Sequence, residues 1–453
     1  MRQRGAEAIS DAAKAGRHRL RSGDLPPRIL TPPPGPRARA LSRRLAAAEA
    51  PGVNTLAGDA PNLLWQEARG ANVLDVDGNR YLDLTSGFGV AAIGHRHPRV
   101  VAAVRRQAGR LLHGLGDVHA HPLRVALGER LTALAPVGEP GEPAQVYFAT
   151  SGAEAVEIAV KTAILATGRP AVAAFAPAYH GLTFGALSLT TRAEFRDPFA
   201  AHLHARVHRL AHGGPASELA AALAGGDVAC VVVEPVVGRE GVVFPPAGWL
   251  AEVAAACRRA GTLLVADEVF TGFGRTGHLF AVEAEGVRPD LLVCGKALGG
   301  GLPIAAVLAP ARRLAAWRCP GEALHTSTFL ANPLSCAAAL AVLDVLAADR
   351  LVERARRLEP RVRRQLGDWP RRFPAVAAVR GRGLLWGIEM TGREAASRLV
   401  VAARARGVLL LAGGPQGRVA QVVPPLGISE RRLDQALELL AAACADSGPA
   451  GGR

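Results

Sequence analysis

Lysine is almost absent from this chain: of its 54 basic residues only Lys14, Lys161 and Lys296 are not arginine. Cysteine is sparse and scattered. The six, Cys230, Cys257, Cys294, Cys319, Cys336 and Cys444, show no C-x-x-C spacing, which excludes a zinc ribbon, argues against a disulfide framework and suits a reducing cytoplasm. Aromatic residues make up only 4% of the chain, leaving little to stack nucleic-acid bases. No apolar run approaches the ~18 residues of a membrane span, and the polar, basic amino terminus has no apolar core of an export signal, so no membrane or export role is expected. The net charge of +15 is concentrated at one end. Residues 1–50 carry eleven Arg and Lys against Glu7, Asp11, Asp24 and Glu49, a net of +7, which points to a basic extension rather than a nucleic-acid-binding face.

At 453 residues, with 49% hydrophobic and 21% charged, the chain can bury a large core and is expected to divide into more than one domain. Residues 1–45, with Pro26-Pro27 and the run from Pro32, read as a flexible basic extension whose removal leaves folding intact. Organised sequence is expected from Asn54. Residues 46–95 then form a segment joining a smaller domain; within them residues 73–84 alternate about Asp77-Gly78-Asn79, a hairpin signal. His95 and His97, like His113, His119 and His121, lack acidic or cysteine partners at metal-ligand spacing, and Pro98 makes a helix entry the better reading. From there helices (98–112, 122–134) and short apolar strands (145–149, 171–175, 228–233, 263–266, 291–294) alternate, the signature of an α/β domain with a mostly parallel sheet. That large domain is expected over residues 96–335. Mixed helices and strands over 336–445 predict a smaller α+β domain, and 446–453 a disordered tail.

Polar exceptions collect where these strands end. The first long one opens through Ser151-Gly152-Ala153-Glu154 into a helix, where free N–H groups and the dipole suit a phosphate, and Ser151 with Glu154 also reads as a capping box. The others end at Tyr179 and His180, at Glu234, at Asp267 and just before Lys296. Open α/β sheets bind ligands at the carboxyl ends of their strands. In a chain that otherwise uses arginine, a lysine between an apolar strand and Gly299-Gly300-Gly301 is conspicuous, because arginine cannot lose its proton and a desolvated lysine can. A neutral lysine forms a Schiff base with an aldehyde, and an ionised aspartate keeps a pyridine nitrogen protonated; together they point to pyridoxal phosphate. Gly272, Gly274 and Gly277 spell G-x-G-x-x-G, yet Asp267 and Glu268 precede them and Pro289 leaves no room for the helix a dinucleotide needs.

The ordered motifs DVDGNRYLDL, GHRHP, SGAEAVE, YHG, EP then VVG, DEVFTGFGRTG, GKALGGG, STFLANPL and VRGRG, spread from about Asn54 to Ala443, resemble the class III (omega) aminotransferases among the fold type I pyridoxal phosphate enzymes. The resemblance implies a homodimeric aminotransferase with a large α/β domain and a smaller one, moving an amino group between an amine or (ω-)amino acid and a keto acid by a ping-pong route. It implies that Lys296 carries the cofactor as a Schiff base and moves the proton, that Asp267 meets the pyridine nitrogen, and that Val269 and Tyr179 lie on the two faces of the ring. Gly152 and Ala153 would offer N–H groups to the phosphate and Thr328 would reach a phosphate from the second subunit, with Ser151, His180, Glu234 and Ser327 completing the expected cofactor-binding set. Several positions depart from the family: Phe270 replaces a glutamine, Leu182 an arginine, Arg239 an acidic gate and Gln421 the arginine that grips a substrate carboxylate. Phe88, Arg239 and Gln421 are therefore the expected substrate residues, with Arg239 and Gln421 facing each other across the pocket, or with Arg239 paired to Glu240 at the surface. A racemase or aminomutase of the same family, or a protein that keeps the fold and only binds, remain alternatives.

Overall fold

The computed structural model describes residues 20–53 and 62–446. Residues 1–19 of the basic extension, the start of organised sequence at Asn54 and the tail beyond Asp446 lie outside the described residues. Fifteen strands are defined among the described residues. Seven form the central sheet: β4 (Ala144–Ala149), β5 (Ala171–Ala176), β6 (Val207–Ala211), β7 (Val228–Val233), β8 (Leu263–Asp267), β9 (Leu291–Cys294) and β10 (Ala305–Pro310). Their order is β4-β10-β9-β8-β7-β5-β6, with β10 antiparallel to both neighbours and the remaining pairs parallel.

Both faces of this sheet are covered, which is why its strands read as unbroken apolar runs. Val172, Ala174, Val265 and Val293 pack against the helix Gly152–Thr167 through Ala155, Val156, Ile158 and Ala159. Ala173, Phe175, Leu264, Ala266 and Leu292 face the other way, toward Trp249, Leu250 and Val253 of the helix Trp249–Ala260. The alternation breaks once, at Ala229, where the β5–β7 register slips.

A second sheet, antiparallel, joins β11 (Val376–Arg382), β12 (Leu385–Met390), β15 (Val419–Val422) and β14 (Leu411–Gly413) in that order. A third joins β1 (Trp65–Arg69), β2 (Asn72–Asp75) and β3 (Arg80–Asp83) to β13 (Val408–Leu409), so the amino-terminal hairpin and the carboxyl-terminal region share backbone pairing. The helix Pro333–Ala348 begins just before the expected boundary at 335 and packs on the helices Pro98–Ala108 and Pro122–Leu134.

The expected loose extension needs correction from residue 20 onward. Leu20 is buried, Arg28 bridges Arg80, and residues 36–46 form a helix whose first N–H groups, from Arg37 and Ala38, donate to the Asp77 carboxylate at 2.8 and 2.9 Å. The buried Asn72 and Asn79 hold the segment: Asn72 Oδ1 accepts from Leu25 N at 2.8 Å, and Asn79 Oδ1 from Leu30 N and Thr31 N at 2.8 and 3.0 Å. Proline richness here reflects an extended chain laid along the hairpin, held by side-chain amides and by Leu20, Ala38 and Ile29, the last packed on Val73, Tyr81 and Leu409.

Candidate active site

Tyr179, Glu234, Asp267 and Lys296 line one cavity of about 260 Å³ at the carboxyl edge of the central sheet, together with Gly152, Ala153, His180, Val269 and Arg239. Of the other lysines, Lys161 is exposed and Lys14 lies outside the described residues. Ser151 does not line the cavity; it caps the helix Gly152–Thr167, accepting from Glu154 N at 3.2 Å. The expected capping box closes one residue early, because the Glu154 carboxylate takes Thr150 N at 2.8 Å and the Thr150 hydroxyl. Gly152 is required by space: a Cβ there would come within 2.9 Å of Val269 Cγ1.

Asp267, buried at the end of β8, accepts from its own turn through Val269 N at 3.0 Å and from His180 Nδ1 at 2.7 Å. Burial opposes a charge on His180, but the hydrogen bond and charge of Asp267 outweigh it and raise the imidazole above its usual range. Its other ring nitrogen, Nε2, is buried without a hydrogen-bond partner among the described residues. Lys296 follows β9 with φ of +39°, and its Nζ sits 4.3 Å from the Phe270 ring centroid. Desolvation lowers its pKa to about 8, against the pull of Asp267 and Glu234 and with the help of Arg239. Glu234 is pushed up to about 7 by burial. Its oxygens accept from Tyr179 N at 2.9 Å and Gly238 N at 3.0 Å, so it ties together the two loops beyond β5 and β7.

Other expectations fall differently. Gln421 is buried behind the wall, donating to the carbonyls of Gly238 and Arg239 at 2.9 and 3.2 Å; it does not face Arg239 across the pocket. Nor does Arg239 pair with Glu240, which is buried against Arg192 Nε at 2.8 Å. Phe88 is half-exposed and Ser327 and Thr328 lie beside Gly116; none of the three lines the cavity in this single chain. The residues after Gly277 form a turn and the single 3-10 turn Ala281–Glu285, not a dinucleotide helix. His97 and His121 are helix entries, accepting from Arg99 N and Arg124 N, and no metal-binding cluster occurs among the described residues. Sequence reasoning missed Phe195, which packs edge-on to Tyr179 at 6.2 Å from a short helix with no periodic signal, and Gly181, where a Cβ would strike Ala153 at 2.6 Å.

The class-III aminotransferase family matches residues 55–444. The chain is a class III aminotransferase. It is 39% identical to an acetylornithine aminotransferase of Methanothermobacter thermautotrophicus, over 83% of this chain and 93% of that protein. It is 38% identical to a 4-aminobutyrate aminotransferase of Mycobacterium tuberculosis, over 92% and 98% respectively. An amine transaminase from an uncultivated Pseudomonas species, solved with pyridoxal phosphate bound, superposes with a TM-score of 0.80 at 30% identity, over 88% of this chain and all of that one. This class III aminotransferase is therefore a pyridoxal-phosphate-dependent enzyme of fold type I. These relatives do not favour the racemase, aminomutase or binding-protein alternatives. No described helix is long and apolar enough to cross a membrane.

The residues present fit the cofactor. A lysine with a lowered pKa suits an aldehyde, the buried Asp267 held by His180 suits a pyridinium, and the head of a 16-residue helix suits a phosphate.

Proposed function

We propose that this aminotransferase moves an amino group from an amine or (ω-)amino acid to a keto acid, with Lys296 as the residue that tethers the cofactor and carries the proton. The observation behind it is the single cavity lysine, its pKa lowered to about 8 by desolvation, opposite the His180–Asp267 pair. Pyridoxal phosphate supplies an aldehyde for the amine and a ring that accepts electrons once its nitrogen is protonated. The Asp267 carboxylate would meet that proton, and His180 fixes the carboxylate through Nδ1. Val269, pressed on Gly152, and Tyr179 would hold the ring between them in the cavity that both line. The backbone N–H groups of Gly152 and Ala153 orient the phosphate, with Ser151 fixing the helix that carries them. Lys296 Nζ, when neutral, takes the proton from the substrate carbon and returns it to the cofactor side, beside the apolar Phe270 and Leu182.

The homodimer belongs to the same proposal. Leu111, Leu112, Leu115, Val118, Leu324 and Phe329 are all exposed, and the two loops that carry them touch through His113 and Phe329, whose rings are 5.3 Å apart, and through Gly116 against the Thr328 carbonyl. This apolar ridge suits a second copy, which would bring Ser327 and Thr328 to the neighbouring phosphate. A cytoplasmic setting and the division near residues 95, 335 and 445 complete the reading.

Lys296→Ala and Lys296→Arg test it. Each is expected to lower turnover of the best donor by about a thousandfold or more and to leave the cofactor removable by gel filtration. Substantial turnover in either variant would show that another residue does the work.

A further inference from the structure

Arg239 is the only arginine lining the cavity, and it forms no salt bridge among the described residues, although its charge reaches the neighbouring Glu240. Its guanidinium lies 4.1 Å from the Tyr179 ring centroid and 5.5 Å from that of Phe195. A guanidinium stacked on aromatic rings is desolvated on its faces while the donors at its edge stay available. The carboxylate nearest in sequence, Glu240, is already engaged by Arg192.

The backbone beneath Arg239 is fixed from three sides. Glu234 Oε2 accepts from Gly238 N at 3.0 Å, Gln421 Nε2 donates to the carbonyls of Gly238 and Arg239, and Gly414 N donates to Arg239 O at 3.1 Å. The loop is also closed by the Val237–Val243 pair, with N–O distances of 2.9 and 3.0 Å. Gln421 thus acts through Arg239: it is a positioning residue for that side chain and not a substrate contact. The rest of the open wall, Leu182 and Phe270, is apolar.

We infer that Arg239 is the carboxylate anchor of this active site, binding the carboxylate of the amino donor and, in the second half-reaction, that of the keto acid. The inference rests on the transaminase site proposed above. One site serves both half-reactions, so one unpaired fork that takes a carboxylate through two parallel hydrogen bonds serves both substrates. The phosphate of the cofactor does not need it, because the helix head at Gly152 and Ala153 provides for that charge.

The test compares wild-type holoenzyme with Arg239→Ala and Arg239→Lys, using a series of ω-amino acids and the alkylamines of matching length, and separately measures binding of unreactive butanoate and hexanoate by calorimetry. For Arg239→Ala, kcat/KM for the amino acids relative to the amines is expected to fall about 10- to 150-fold, the range for a lost charged hydrogen bond, and mostly through KM. Butanoate binding is expected to weaken by a similar factor, and Arg239→Lys to recover part of both, since it keeps a point charge without the fork. The holoenzyme absorbance should persist in both variants. Equal losses for amino acids and amines, or unchanged butanoate binding, would overturn the anchor and leave Arg239 a packing residue of the Tyr179 wall. An inert wild type that still binds butanoate through Arg239 would instead overturn the transaminase site and spare the anchor.

Discussion

Lys296 has its proton equilibrium set by its surroundings before any cofactor arrives. Desolvation moves it from 10.5 to about 8, and Arg239 adds repulsion, while Asp267 and Glu234 act in the opposite sense. A lowered lysine pKa makes the folded state less stable wherever the unfolded chain holds the proton more tightly. Below about 8 both states are protonated and that penalty is complete; between about 8 and 10.5 the unfolded chain binds more protons, so stability rises with pH; above 10.5 the penalty is gone. Cofactor-free Lys296→Met is therefore expected to melt above the cofactor-free wild type at pH 7, and the gap should close as pH rises through that window. A gap that stayed constant from pH 7 to 10.5 would mean that Lys296 is not desolvated. At this scale the chemistry was legible, because lysine is so rare that composition singled out the residue. The roles of Arg239 and Gln421 were not. Their relation depends on β15 running beside a loop more than 180 residues earlier, and no local pattern encodes that pairing.

Among the elements, the strands that deliver the site were readable to within a residue, since each is a short run of mostly apolar residues, and β5, β7, β8 and β9 are buried almost throughout. Two strands of the same sheet went unread for physical reasons. β10 is largely alanine and follows a glycine-rich loop, and β6 is an edge strand whose His208 and Arg209 interrupt the apolar pattern. Within the mixed region expected over 336–445, the chain folds back at Gly383, whose φ of +57° allows the turn from β11 to β12. The buried Arg275 fixes that turn, donating to the carbonyls of Leu384 and Pro424, with Ser86 Oγ 3.5 Å from Nη2. Proline content misled the reading of the amino-terminal segment, whose attachment depends on Asn72 and Asn79. Deleting residues 2–46 removes the partners of both buried amides and is expected to destabilise the protein by about 1–3 kcal/mol for each. Deleting residues 2–19 keeps all those contacts and serves as the control. Equal melting temperatures for the two truncations would show that the docked segment adds nothing to stability.

For the whole molecule, the question is whether one chain makes a complete site. Ser327 and Thr328 stand away from the cavity of their own chain, beside the exposed ridge that includes Phe329 and Leu112. Two chains meeting on that ridge would place each Thr328 hydroxyl at the other's phosphate, and a pair of variants separates this arrangement from a self-contained site. Thr328→Ala alone is expected to weaken cofactor binding about 10-fold or more, as for a lost hydrogen bond to a charged group. Lys296→Ala alone is expected to be inactive at any cofactor concentration. Mixed by unfolding and refolding together, the two chains form dimers in which the site with an intact Lys296 receives an intact Thr328 from its neighbour, while the other site lacks both. At a cofactor concentration that saturates the wild type but not Thr328→Ala, the mixture should therefore regain activity that neither parent shows. If each chain used its own Thr328, the intact lysine would always sit with the altered threonine, and the mixture would only average its parents.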